Sequence, residues 1–132
     1  MDEVKYNWRD RVRDSQAEGL AANEFFVIFT EPLKGRQAVK DHLATHLEYQ
    51  KGLEAKGIMV AAGPVSDEQG NEWTGKGLII IRAENLQEAK KVADNDPMHR
   101  DGVRSYTLLP WLMNEGSFTL QVKLSAQKIK FS

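Results

Sequence analysis

Three uninterrupted apolar runs constrain this chain more than any other feature: Phe25–Phe29, Ile58–Ala62 and Leu78–Ile81. A strand with one wet face alternates apolar and polar residues, because successive side chains point to opposite sides. A run without alternation reads as a strand covered on both faces. The punctuation around the runs then orders the chain. "EFFVIFTE" (24–31) is a strand ended by Pro32 and Gly35, and a helix follows from about Gln37 to Lys56, stopped by Gly57. "IMVAAGPV" (58–65) and "KGLIIIRA" (76–83) are strands on either side of the turn-rich "SDEQGNEWTG". "NLQEAKKVADN" (85–95) is a second helix with Asn85 as its cap, Asp96-Pro97 ends it, and "VRSYTLLPW" (103–111) is the fourth strand.

The order βαββαβ is the ferredoxin-like split βαβ arrangement, an α+β fold with both helices on one face of an antiparallel sheet. One chain has nothing left to cover the other face. A second copy packed sheet to sheet, giving a dimeric α/β barrel, is the economical solution; the alternative is that the tail folds back over its own sheet. Residues 1–23 read as an N-terminal arm or short helix, with Val4, Trp8 and Val12 four apart. Residues 113–132 read as a C-terminal extension. Within it "SFTLQVKLS" (117–125) alternates strictly, which predicts an extra half-buried strand at the sheet edge or an arm to the partner. "AQKIKFS" reads as surface packing.

Composition narrows the function. The 132 residues suit one domain, and a net charge of −1 offers no basic surplus for nucleic acid or an acidic membrane. With no cysteine there is no disulfide, thiolate metal site or cysteine nucleophile. That fits a cytoplasmic protein, as does an N-terminus without the apolar core of a secretory signal. No apolar run approaches a membrane span.

On a helix over 37–56, Val39, Leu43, Leu47 and Leu53 form one stripe, and His46 falls inside it. His42 and Tyr49 lie at its edge. A histidine there is either a core residue satisfied by a carbonyl or half of a functional pair, and an unpaired ring is costly to bury. Asp96 is the available partner, since both helices share a face; its other reading is a turn residue before Pro97. A carboxylate holds an imidazole in one tautomer and raises its basicity, as a general base requires. His42 and His46 are also spaced i, i+4, with His99 a third imidazole, but no further metal signature accompanies them and no metal is assigned. Ser66 and Ser105 lack a nucleophile-elbow context, and "GNEWTGKG" lacks phosphate-loop spacing. Trp73 and Trp111 are candidates for an aromatic pocket wall, or for packing.

Two blocks carry a family resemblance. "HLEYQKGLEAKGIMVAAGP" resembles the signature of the YciI-like family, and "AKKVADNDPMHRDGVRSYTLLPW" resembles its second block, the whole spanning residues 24 to about 112. The resemblance implies a ferredoxin-like fold dimerising as an α/β barrel, with an active-site His–Asp pair that falls on His46 and Asp96. Gly63 and Pro64 match the strand-end motif, where backbone N–H groups could meet a developing oxyanion. Family members are linked to breakdown of aromatic and chlorinated aromatic compounds. Met98, followed by His99, stands where the family often has an aromatic residue, which alters a pocket wall. The expectation is a cofactor-free enzyme moving a proton in an elimination, isomerisation or hydrolysis of a small cyclic or aromatic substrate. His46 and Asp96 would be catalytic, with His42, Tyr49, Gly63, Pro64, Met98, His99 and Trp111 around the substrate. The alternatives are a homodimeric ligand-binding or regulatory module without chemistry, and a cofactor-independent monooxygenase.

Overall fold

The computed structural model describes residues 3–131. The elements run α1 (Trp8–Ala17), β1 (Asn23–Pro32), α2 (Arg36–Ala55), β2 (Met59–Pro64), β3 (Gly77–Ile81), α3 (Leu86–Asn95), α4 (Pro97–Arg100), β4 (Arg104–Met113), β5 (Leu120–Lys123) and β6 (Lys128–Phe131). None of the described helices is long and apolar enough to cross a membrane. The chain divides into two compact units, one from Glu24 to Trp111 and one combining the stretches up to Asn23 and from Leu112.

In the Glu24–Trp111 unit, β1 to β4 form a four-stranded antiparallel sheet in the order β2-β3-β1-β4, the ferredoxin-like topology. Pairing of Phe26 with Ile81 and Ile28 with Ile79 puts those four side chains on one face. There they pack against Ala89 and Ala93 of α3. Alternation sends Phe25, Val27 and Phe29 to the other face. Phe25 and Val27 are buried, but Phe29 is 50% exposed, as is Leu109 at 49% on β4, so the second apolar face is only partly covered.

The stripe on α2 forms, yet of its residues only Leu53 is buried; Leu43 and Leu47 stay 44% and 45% exposed. The residues facing them from β2 and its end are Ala62, Gly63 and Pro64. Such small side chains cannot fill the space under a helix, and a cavity remains. The short helix α4 was not expected. Asp96 caps it, its carboxylate accepting the Met98 N–H at 2.9 Å, and Pro97 occupies the first helical position. Gly102, at φ +68°, closes it, with the Gly102 and Val103 N–H groups donating to the His99 and Met98 carbonyls.

The terminal unit departs from expectation twice. Helix α1 starts at Trp8, capped by Asn7, so Val4 lies outside it and is 95% exposed. The strand expected at the edge of the main sheet is instead β5, paired antiparallel with β6 as a separate two-stranded sheet, and "AQKIKFS" supplies that partner. A local hairpin closes a short loop, which costs less entropy than a distant pairing. Leu120 and Val122 are exposed rather than half-buried.

Candidate active site

Helix α2 carries His46 and the end of α3 carries Asp96. His46 Nδ1 lies 2.9 and 2.8 Å from the two Asp96 carboxylate oxygens. A carboxylate only accepts, so Nδ1 carries the proton and Nε2 of the neutral ring keeps its lone pair. Asp96 is 3% exposed, and its oxygens are shared between the imidazole and the Met98 N–H. The His46 side chain retains 15% exposure and lines the cavity under α2. That cavity has a volume of about 620 Å³, room for a small ring compound. Val39, Leu43 and Leu47 of α2 form one wall, and Ala62, Gly63, Pro64 and Ile79 of the sheet form another.

Of the site and pocket candidates named in the sequence, His46, Gly63, Pro64, Met98 and Trp73 line this cavity; Asp96, His42, Tyr49, His99 and Trp111 do not. His42 has Nδ1 2.9 Å from the Ala38 carbonyl and Nε2 3.2 Å from Asp101, so it points away from His46. Tyr49 donates its hydroxyl to the Val92 carbonyl at 2.6 Å and so ties α2 to α3. Burial, and then the charge of Asp96, raise the Tyr49 phenol above its ordinary range. Trp111 stacks obliquely near Phe25, with ring centroids 6.1 Å apart.

His99 sits behind the cavity. Its Nδ1 donates to the Ala93 carbonyl at 2.8 Å, and its Nε2 is 2.9 Å from Thr30 Oγ1. Burial pushes its imidazole below the ordinary histidine range, although the Ala93 carbonyl and Asp96 pull the other way. Thr30 and Arg104, both buried, also line the cavity and went unremarked in the sequence. Arg104 had a legible signal. It shares the strand parity of Tyr106 and Leu108, which pack against the core, and a cation at a core-facing position calls for a reason.

Comparisons with known proteins agree with the fold. The uncharacterised protein YjpA of Bacillus subtilis (strain 168) is 29% identical over 76 residues, 58% of this chain and 82% of its own length. An uncharacterised protein of Haemophilus influenzae is 36% identical over 88 residues, 60% of this chain and 86% of its own length. Among solved structures, 5-chloro-2-hydroxyhydroquinone dehydrochlorinase (TftG) from Burkholderia phenoliruptrix AC1100, in complex with 2,5-dihydroxybenzoquinone, superposes with a TM-score of 0.56 at 24% identity. The match covers 66% of this chain and 92% of that one, and it is a likeness of fold. The stretch holding both His46 and Asp96, residues 24–112, matches the YCII-related domain, and the chain belongs to that family.

Proposed function

We propose that this protein is an enzyme in which His46 acts as the general base on a small, mostly apolar ring compound held under α2. The carrying observation is the His46–Asp96 pair beside a cavity of about 620 Å³. Asp96 fixes the tautomer, orients the ring and stabilises its cation once a proton arrives. The base removes a hydroxyl- or carbon-bound proton, and the released electron pair drives elimination or isomerisation. The fold likeness to a dehydrochlorinase makes loss of hydrogen chloride the first reaction to try, although likeness of fold alone does not carry an activity across.

The experiment is chloride release, followed by ion chromatography, from a set of chlorinated hydroquinones beginning with 5-chloro-2-hydroxyhydroquinone. Positioned acid–base groups contribute about a hundred- to ten-thousandfold, so His46→Gln should lower turnover by at least about a hundredfold while the melting temperature holds. If no compound reacts and His46→Gln chiefly lowers stability, the pair is structural. The second reading then leads: a ligand-holding module without chemistry. The capping of α4 by Asp96 favours that reading, because it gives the carboxylate work unrelated to a reaction.

We also infer a homodimer joined through the far face of the sheet. Phe29, Leu109 and Trp111 stand 50%, 49% and 38% exposed there. A contiguous apolar face of this kind usually meets another protein surface. The chemistry is assigned to residues 24–112, and the terminal stretches are treated as additions to that domain.

A further inference from the structure

We infer that Arg104 is an oxyanion-binding residue of the cavity under α2, and that the compound held there is a small organic anion, a carboxylate or an acidic phenolate on an apolar body. The inference rests on reading that cavity as a ligand site and names the ligand's charge.

Arg104 is 8% exposed, yet it lines the cavity together with His46 and Met98. A guanidinium has five N–H donors and a permanent charge. Its Nε donates to Thr30 Oγ1 at 2.9 Å, and Nη2 donates to the Thr30 carbonyl at 3.3 Å and to the Gly75 carbonyl. All of these acceptors are neutral. Among the described residues no carboxylate contacts Arg104, and Nη1 has no partner. Nor is Nη1 sealed in apolar packing, since Asn114 Oδ1 is the sole buried and unpartnered side-chain polar atom among the described residues. Two donors of a largely buried cation therefore remain without a partner, on a side chain that lines this cavity and also the hollow beside Pro32, Thr74 and Gly75.

The surroundings hold this group in place. His99 presents Nε2 as an acceptor, because its Nδ1 proton is committed to Ala93. The Thr30 hydroxyl gives its hydrogen to that nitrogen and turns a lone pair to Arg104 Nε. Gly75 adopts φ +91°, and a Cβ there would lie 2.4 Å from Pro32 Cγ, so the chain keeps glycine at the turn whose carbonyl meets Nη2. Burial works against the arginine's charge and Asp96 favours it from a distance, but the Asp96 oxygens are occupied by His46 and the Met98 N–H. A cation with its charge uncompensated at close range and two donors free is the complement of an oxyanion.

The test is binding, which needs no turnover. Benzoate is compared with benzamide, and 4-nitrophenolate with nitrobenzene at a pH where the phenol is ionised, by protein NMR chemical-shift titration. At least one anion should bind about ten- to a hundredfold tighter than its neutral partner, the size of a charge-assisted hydrogen bond, and the stronger pair tells carboxylate from phenolate. Arg104→Gln should abolish the preference, and Arg104→Lys should keep it in weakened form. Lys76→Gln, which removes the exposed cation at the rim, should leave it intact. Should Arg104→Gln not fold, the wild-type preference together with the Arg104→Lys and Lys76→Gln results decides. Equal binding of both anions and their neutral partners overturns the inference, as does loss of the preference in Lys76→Gln. His46→Gln separates this inference from the proposed reaction. If that variant keeps the preference, anion recognition stands whether or not any compound turns over; if it loses the preference, the imidazole holds the anion and the inference fails.

Discussion

Asp96 serves two elements at once, and the two duties can be separated by substitution. Its carboxylate caps α4 at Met98 and accepts the hydrogen bond from His46 Nδ1–H. Asparagine keeps an oxygen for the cap but loses the charge; alanine loses both. Asp96→Ala should therefore cost about 1.5–5 kcal/mol in urea unfolding, the sum of a lost cap and an orphaned donor. Asp96→Asn should cost less while removing most of the catalytic effect. A second residue-scale prediction concerns His99, whose imidazole burial holds below the ordinary histidine range. The unfolded chain takes up this proton at a higher pH than the folded one, so between the two values the unfolded state holds more protons and stability rises with pH. The contribution is fully present above about pH 6.5, the free histidine value, and is lost as pH falls below it. Melting temperatures measured between pH 7 and pH 5 should fall in the wild type and fall less steeply in His99→Gln.

The spacing of Asp96 and Gly102 makes sense once α4 is seen between them. An aspartate that opens a single helical turn and a glycine that closes it hold the Met98–Val103 segment, with Met98 and Val103 both buried. Gly102 sits at φ +68° with nothing within 4 Å of where a Cβ would be, so a substitution meets backbone cost alone. Gly102→Ala should destabilise by about 1–2 kcal/mol, the left-handed penalty for an L-residue, and Gly102→Asn by less; chemical denaturation measures both. The other elements were largely readable in advance. Asn85 caps α3 by accepting the Glu88 N–H at 2.9 Å, and α2 runs within a residue of the expected bounds. The hairpin of β5 and β6 was not readable. Strict alternation marks a strand but does not name its partner.

At the scale of the molecule, the partly covered far face of the sheet is the feature with consequences. If two copies meet there, the protein should sediment at twice its 14.9 kDa mass. A charge at the centre of the patch should then split it: Leu109→Lys is expected to sediment as a monomer in analytical ultracentrifugation, while Lys34→Glu, elsewhere on the surface, should leave the wild-type mass. A monomeric wild type would sink the dimer.

Local chemistry and periodicity determined the order of the elements and the four strands of the sheet, because turn residues, caps and apolar repeats act within a few residues of one another. The meeting of His46 with Asp96, 50 positions apart, is an expectation from the shared helix face and the family resemblance. Long-range packing decided the rest. The small residues of β2 left a cavity where the helical stripe alone implied contact. The tertiary structure set Arg104 against Thr30 and Gly75, 74 and 29 positions away in the chain, and no spacing rule spans such distances. Which polar groups are left without a partner depends on every neighbour at once, and only the folded chain assembles those neighbours.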